Sequence, residues 1–248
     1  MSMPHDAPLY PSLPRYYRDV DIVSIICETD EANVATTLPP PLQPVGQSTN
    51  LFEVKFSHYA NTVLGTFNEA SVLVPARFGD LACYTFTYIY IDNIAGLVAG
   101  RELMGFPKKD GLIDFQRDGD RFSAQVMRNG KLLMRMTCDL GKPKDVKRAV
   151  GTRLTVRDIP RADGPGLEQR QVIRKDFNPN FFTVHDSRSG EATLELFGTE
   201  DDPLQKLGTF RVVGGHYQHV DFSLEWGQIL YTENYPRENV QSPLATAR

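Results

Sequence analysis

Lys108 and Lys109 stand side by side in the stretch GRELMGFPKKDG, Gly100 to Gly111, directly behind a proline and a run of apolar residues. Such a pair on a solvated turn does no chemistry, and taken alone that is its ordinary reading. A pair led out of an apolar segment such as IAGLVAGRELMGFP is different. A lysine near its usual pKa of about 10.4 is almost wholly protonated at neutral pH and cannot attack a carbonyl. Burial disfavours its ammonium form, and a second ammonium beside it disfavours that form further. Bringing an amine close to neutrality takes roughly 4–5 kcal/mol, which burial and an adjacent cation together can supply. A neutral lysine amine can then attack a ketone and form an imine.

The elements that must position these lysines are mostly strands, because the prevailing period of the chain is two. VDIVSIIC (Val20–Cys27) reads as a buried strand, and NLFEVKFSHY (Asn50–Tyr59) as an alternating one. SVLVPARF and ACYTFTYIYID follow, and Asn129-Gly130 predicts a tight hairpin between RFSAQVMR and KLLMRMTCDL. A second reversal is expected around Asp118-Gly119-Asp120. Two short helices are expected. One starts at Thr29/Asp30 and stops before Pro39; the other starts at Asp92/Asn93 and ends near Gly105. After it, Pro107 fixes φ and holds Phe106 extended, so Lys108 begins a stiff turn. The pattern predicts a mainly β protein of curved, partly closed antiparallel sheets. One domain spanning 1–248 is expected, with residues 1–19 as an extended arm and a polar linker at 158–169.

Composition narrows the function. A net charge of −4 lacks the basic excess of a nucleic-acid or membrane-surface binder, so neither partner is expected. Cys27, Cys83 and Cys138 are scattered and odd in number, which predicts a reduced, cytoplasmic protein with no disulfide framework. Cys83 and Cys138 read as small core residues. His216 and His219 are three apart, hence on opposite faces of a strand, and no metal site is expected there. Trp226 reads as core or inter-subunit packing.

The segment AGRELMGFPKK resembles the signature of the acetoacetate decarboxylase family, in which Gly-Arg-Glu-Leu, two variable residues, an aromatic and Pro-Lys-Lys carry the Schiff-base lysine. That family is itself the standard illustration of an amine activated by a pocket and a neighbouring cation. The resemblance makes Lys108 the imine-forming residue and Lys109 the group that perturbs its pKa. LGTFNEASVLVP and LFEVKF resemble two further family segments and place Glu69 and Glu53 on its active-site acidic positions. YIYIDNIAGLVAGREL, TDEANVATTLPPPL and ILYTENY extend the likeness, which runs from about residue 20 to 140 with an echo near the end. The family's curved antiparallel fold agrees with the period-two reading, and its members imply a homo-oligomer. One position departs. The family's early arginine falls on Val20, and Arg18, two residues earlier, is the candidate substitute for substrate binding on the same strand face.

The implied reaction needs no cofactor and takes a small oxo acid. Lys108 forms an iminium with a β-keto acid such as acetoacetate, carbon dioxide departs into that electron sink, and the enamine is protonated and hydrolysed to a methyl ketone. Two other readings stand beside it. One is a Schiff-base aldolase-dehydratase acting on pyruvate or a related oxo acid, favoured by the altered arginine position. The other is a non-catalytic binder of a small apolar ligand.

Overall fold

The computed structural model describes residues 3–148 and 151–236; residues 1 and 2 of the expected arm lie outside them. Thirteen strands form one sheet. They are β1 (Arg15–Asp30), β2 (Thr49–Thr62), β3 (Phe67–Phe78), β4 (Leu81–Ile91), β5 (Lys108–Asp110), β6 (Leu112–Asp118) and β7 (Arg121–Arg128). After these come β8 (Lys131–Pro143), β9 (Arg153–Pro160), β10 (Leu167–Lys175), β11 (Thr183–Leu196), β12 (Phe210–Leu224) and β13 (Gln228–Asn234). The order is β13-β10-β9-β4-β3-β2-β1-β12-β11-β8-β7-β6, with β5 paired to β4. Every pairing is antiparallel except β4 with β5 and β4 with β9. The sheet keeps two free edges, so it is not closed into a barrel. It curls instead: β6, at one end of the order, packs over β2, β3 and β4. No helix among the described residues is long and apolar enough to cross a membrane.

The curl creates an inner core and a second, outward-facing concavity, and strand alternation assigns residues to each. On β2, Phe52, Val54 and Phe56 belong to the main apolar cluster with Val72 and Val74 of β3. Each such side chain contributes about 1.5–3 kcal/mol by leaving water. Successive residues face opposite sides of a strand, so Glu53, Lys55, Ser57 and Tyr59 are turned the other way. Cys27, Cys83 and Cys138 are buried and unbonded.

Of the two α-helices, only the second is capped by its N-cap side chain. The helix α1 (Glu31–Ala35) follows Asp30, whose side chain makes no capping bond; Thr29 instead bonds back to the Leu207 and Thr209 carbonyls. The helix α2 (Ile94–Met104) is capped by Asn93, which accepts from the Gly96 amide at 2.7 Å, and ends at Gly105 with φ of 65°. The Asn129-Gly130 hairpin has both central φ values positive, at 51° and 73°, and Gly119 turns β6 into β7 with φ of 58°.

Three expectations are corrected. The stretch 158–169 is no linker, because β9 and β10 pair across it as a hairpin. The N-terminal strand begins at Arg15 and takes the last five residues of the expected arm, and Tyr10 and Leu13 ahead of it are already buried. Of the two readings of Trp226, the core one is ruled out, since the side chain is 62% exposed.

Lys109 lies outside the concavity and holds the fold. Its ammonium meets the buried Asp202 carboxylate at 3.0 Å, where Arg128 at 2.9 Å and the Tyr90 hydroxyl at 3.1 Å converge. Removing the shared anion strands two cations beside buried surface. Asp202→Ala is therefore expected to cost about 3 kcal/mol and to lower Tm by roughly 6–12 °C for a chain of this size, as measured by calorimetry. An unchanged Tm would show the cluster to be solvated and idle.

Candidate active site

Lys108 reaches the outer concavity because of how α2 stops. With Gly105 left-handed, the amides of Gly105 and Phe106 fold back onto the Arg101 and Gly100 carbonyls, both at 3.1 Å. Arg101 donates to the Lys108 carbonyl at 3.1 Å, and β5 then pairs Lys108 with Ile89 of β4. The lysine stem lies on Gly100. A Cβ built at that glycine comes within 2.7 Å of Lys108 Cε, closer than packed carbons sit. Gly100→Ala is expected to push the amine out of line and to lower kcat by about 10²-fold, with Tm little changed. Full activity in this variant would mean that the stem has room to spare.

Lys108 Nζ sits 2.7 Å from Glu69 Oε2, with both side chains nearly buried, at 11% and 13% exposure. Glu69 comes from β3, where it shares a face with Phe67 and Ser71. The Tyr59 hydroxyl is hydrogen-bonded to Glu69; burial first, then that carboxylate's charge, holds Tyr59 well above its ordinary pKa. Phe106 lies against the amine, its ring centre 5.6 Å away, and stacks edge-on with Phe86 at 5.5 Å. These groups line a cavity of about 140 Å³ with further walls from Ile22, Phe182 and Phe222.

The cavity also holds three cations that sequence reasoning missed: Lys55, Arg153 and Lys175. Burial pulls Lys55 down to about 8, against the opposing pull of Glu53 and helped by Arg153 and Arg148. Burial likewise takes Lys175 down to about 8, with Glu225 opposing. Arg153 is lowered by burial, and Glu53 opposes that too. Both lysines thus carry their charge below about pH 8 and lose it above. A small carboxylate such as butyrate is expected to bind several-fold more weakly two pH units above that point than one below it, because a neutral amine attracts no anion. Titration calorimetry across that range checks this, and affinity independent of pH would place the ligand away from both lysines.

The other expected site residues fall in different places. Glu53 is fully buried behind the lining, 3.1 Å from Lys55 Nζ and 3.9 Å from Arg148 Nε. Lys109 points to the opposite side of β5, toward Asp202, as its neighbour position on a strand requires. Arg18 is exposed in a shallow depression with Tyr16, Asn61, Thr62 and Val63. The strand does not carry one face from Arg18 to Val20, because a bulge with Asp19 at φ of 53° intervenes and its register shifts. Val20 is fully buried as a result, and Arg18 is not. The only advance sign of Lys55 was a charged residue in an otherwise alternating strand.

Comparison with known proteins bears on the fold and the family. A family model described as acetoacetate decarboxylase matches residues 2–233. The acetoacetate decarboxylase of Clostridium acetobutylicum is 23% identical over 245 residues, covering 93% of this chain and 95% of that protein. A solved acetoacetate decarboxylase superposes with a TM-score of 0.81 at 22% identity, over 96% of both chains. The enduracididine biosynthesis enzyme MppR, solved with pyruvate, superposes at 0.77 with 16% identity, over 93% of this chain and 96% of its own. The family-model match across residues 2–233 settles the family: the chain belongs to the acetoacetate decarboxylase family, a family of lyases.

Proposed function

We propose that the protein decarboxylates a 3-oxo acid through an imine at Lys108. The observation that carries the reading is the 2.7 Å pair of Lys108 and Glu69 inside an aromatic-walled cavity. Glu69 takes the proton that Lys108 must lose, and the freed amine adds to the substrate ketone. The carbon–nitrogen bond forms, the carbonyl oxygen leaves as water, and an iminium remains. The bond to the carboxylate carbon then breaks, and its electron pair moves into the iminium to give a neutral enamine. Protonation at carbon, with Glu69 or Tyr59 in reach, and hydrolysis release the methyl ketone and restore Lys108. Apolar walls around the departing carboxylate favour its loss as neutral carbon dioxide.

The cations at the far side of the cavity support a second reading, in which a carboxylate is held and kept, as in an aldolase-type lyase acting on pyruvate. Turnover in heavy water separates the two. Acetoacetate or a longer 3-oxo acid is expected to yield carbon dioxide and a ketone carrying one new deuterium at the carbon that bore the carboxylate, followed by nuclear magnetic resonance. Exchange of the pyruvate methyl protons without carbon dioxide from any 3-oxo acid would favour the aldolase-type reading instead.

A further inference from the structure

The pairing registers place an amine at each end of one cross-strand row. Lys108 of β5 pairs with Ile89 of β4, Ile89 with Ser71 of β3, and Ser71 with Lys55 of β2. All four side chains line the cavity. At about 4.8 Å per strand spacing, the two lysine backbones stand roughly 14 Å apart, and both side chains lean into the space between.

Among the described residues, four cations at the Lys55 end, Lys55, Arg148, Arg153 and Lys175, face three carboxylates, Glu53, Glu225 and Asp176. Lys108 has Glu69, and Glu53 is shared by Lys55 and Arg148. Arg153 adds a further cation, and no carboxylate among the described residues lies within ion-pairing distance of it. Arg153 also stands directly opposite Lys175 across the β9–β10 pair. Like charges in that relation repel, and both side chains face the same cavity. A cation in excess on a buried cavity wall calls for an anion. The departing carboxylate of a 3-oxo acid is a poor candidate, because cations holding it would stabilise the ground state and oppose its loss. It must also lie one carbon from the ketone, at the Lys108 end of the row.

We propose that the natural substrate is a 3-oxo dicarboxylic acid, its ketone at Lys108 and its second, retained carboxylate bound by Lys55 and Arg153. This rests on the imine reading of Lys108. Bidentate pairing with the Arg153 guanidinium would fix the carboxylate's orientation, and the size of the cavity suits a carboxylate at the end of a short chain.

The test uses the wild-type protein and borohydride capture at Lys108 with three ketones: acetoacetate, 3-oxoadipate, and the 3-oxoadipate monoester blocked at the distal carboxylate. The diacid is expected to label Lys108 at about tenfold or more lower concentration than its distal ester, the effect of charge-assisted contacts. Arg153→Met is expected to erase that preference, so that the diacid labels Lys108 no better than its distal ester. Equal capture of diacid and ester, or a preference that survives in Arg153→Met, overturns this inference and leaves the imine reading standing. Should Arg153→Met fail to fold, the wild-type comparison of diacid with ester decides alone. Capture of none of the three at Lys108 overturns the imine reading, and this inference with it.

Discussion

Replacing Lys108 by methionine is expected to bring carbon dioxide release down to the uncatalysed rate, a loss of at least ~10⁶-fold on the usual scale of enzymatic acceleration. The methionine keeps the apolar stem that packs on Gly100, where Lys108 Cε and Cδ make their contact. It removes only the nitrogen, and so the imine. No neighbour can substitute, since Lys109 is turned to Asp202 and Lys55 lies three strands away along the pairing row. The single variant strands the Glu69 carboxylate in the cavity and is expected to lose stability, whereas pairing Lys108→Met with Glu69→Gln removes both charges and restores it. Carbon dioxide production by the folded single variant within tenfold of wild type would place the chemistry at another residue.

Glu69→Gln carries the next largest effect. The amide fills the same space and can still accept from Tyr59, but it cannot take a proton from Lys108 across the 2.7 Å contact. Loss of a positioned proton acceptor lowers kcat by about 10²–10⁴-fold, with KM changing much less because the cavity walls are untouched. The reading also requires slower imine capture in this variant at saturating ketone, seen by quenching with borohydride at short times. A variant with normal kcat would move the proton relay to another group, with the Tyr59 hydroxyl next in line.

The parts of this molecule legible in the sequence are those whose cause is local. Asn129-Gly130 turned the chain as its positive φ demands, and Asn93 and Gly105 bounded α2 at the expected ends. Lys108 stood out because glycine, proline and apolar residues surround it in sequence as they do in space. Where the cause is long-range, the reading failed or was silent. Arg18 was expected on the face of Val20 by counting in twos, and a single left-handed residue, Asp19, broke the count. Lys55 became a cavity residue only through pairings of β2, β3, β4 and β5, which no local pattern encodes. Arg153 arrives from β9 through a parallel contact with β4 some 70 positions earlier, where it pairs with Tyr84. Lys109 is a different case. Two neighbours on a strand face opposite ways, so once Lys108 enters the cavity from a strand, Lys109 must leave it.

The most direct test of the account is borohydride reduction of the protein with acetoacetate, followed by intact-mass measurement and peptide mapping. The account predicts a single adduct with the mass of a reduced acetone imine, carboxylate already gone, on the peptide that contains Lys108. Prompt carbon dioxide release with no adduct at Lys108, or with the adduct on another lysine, would contradict it.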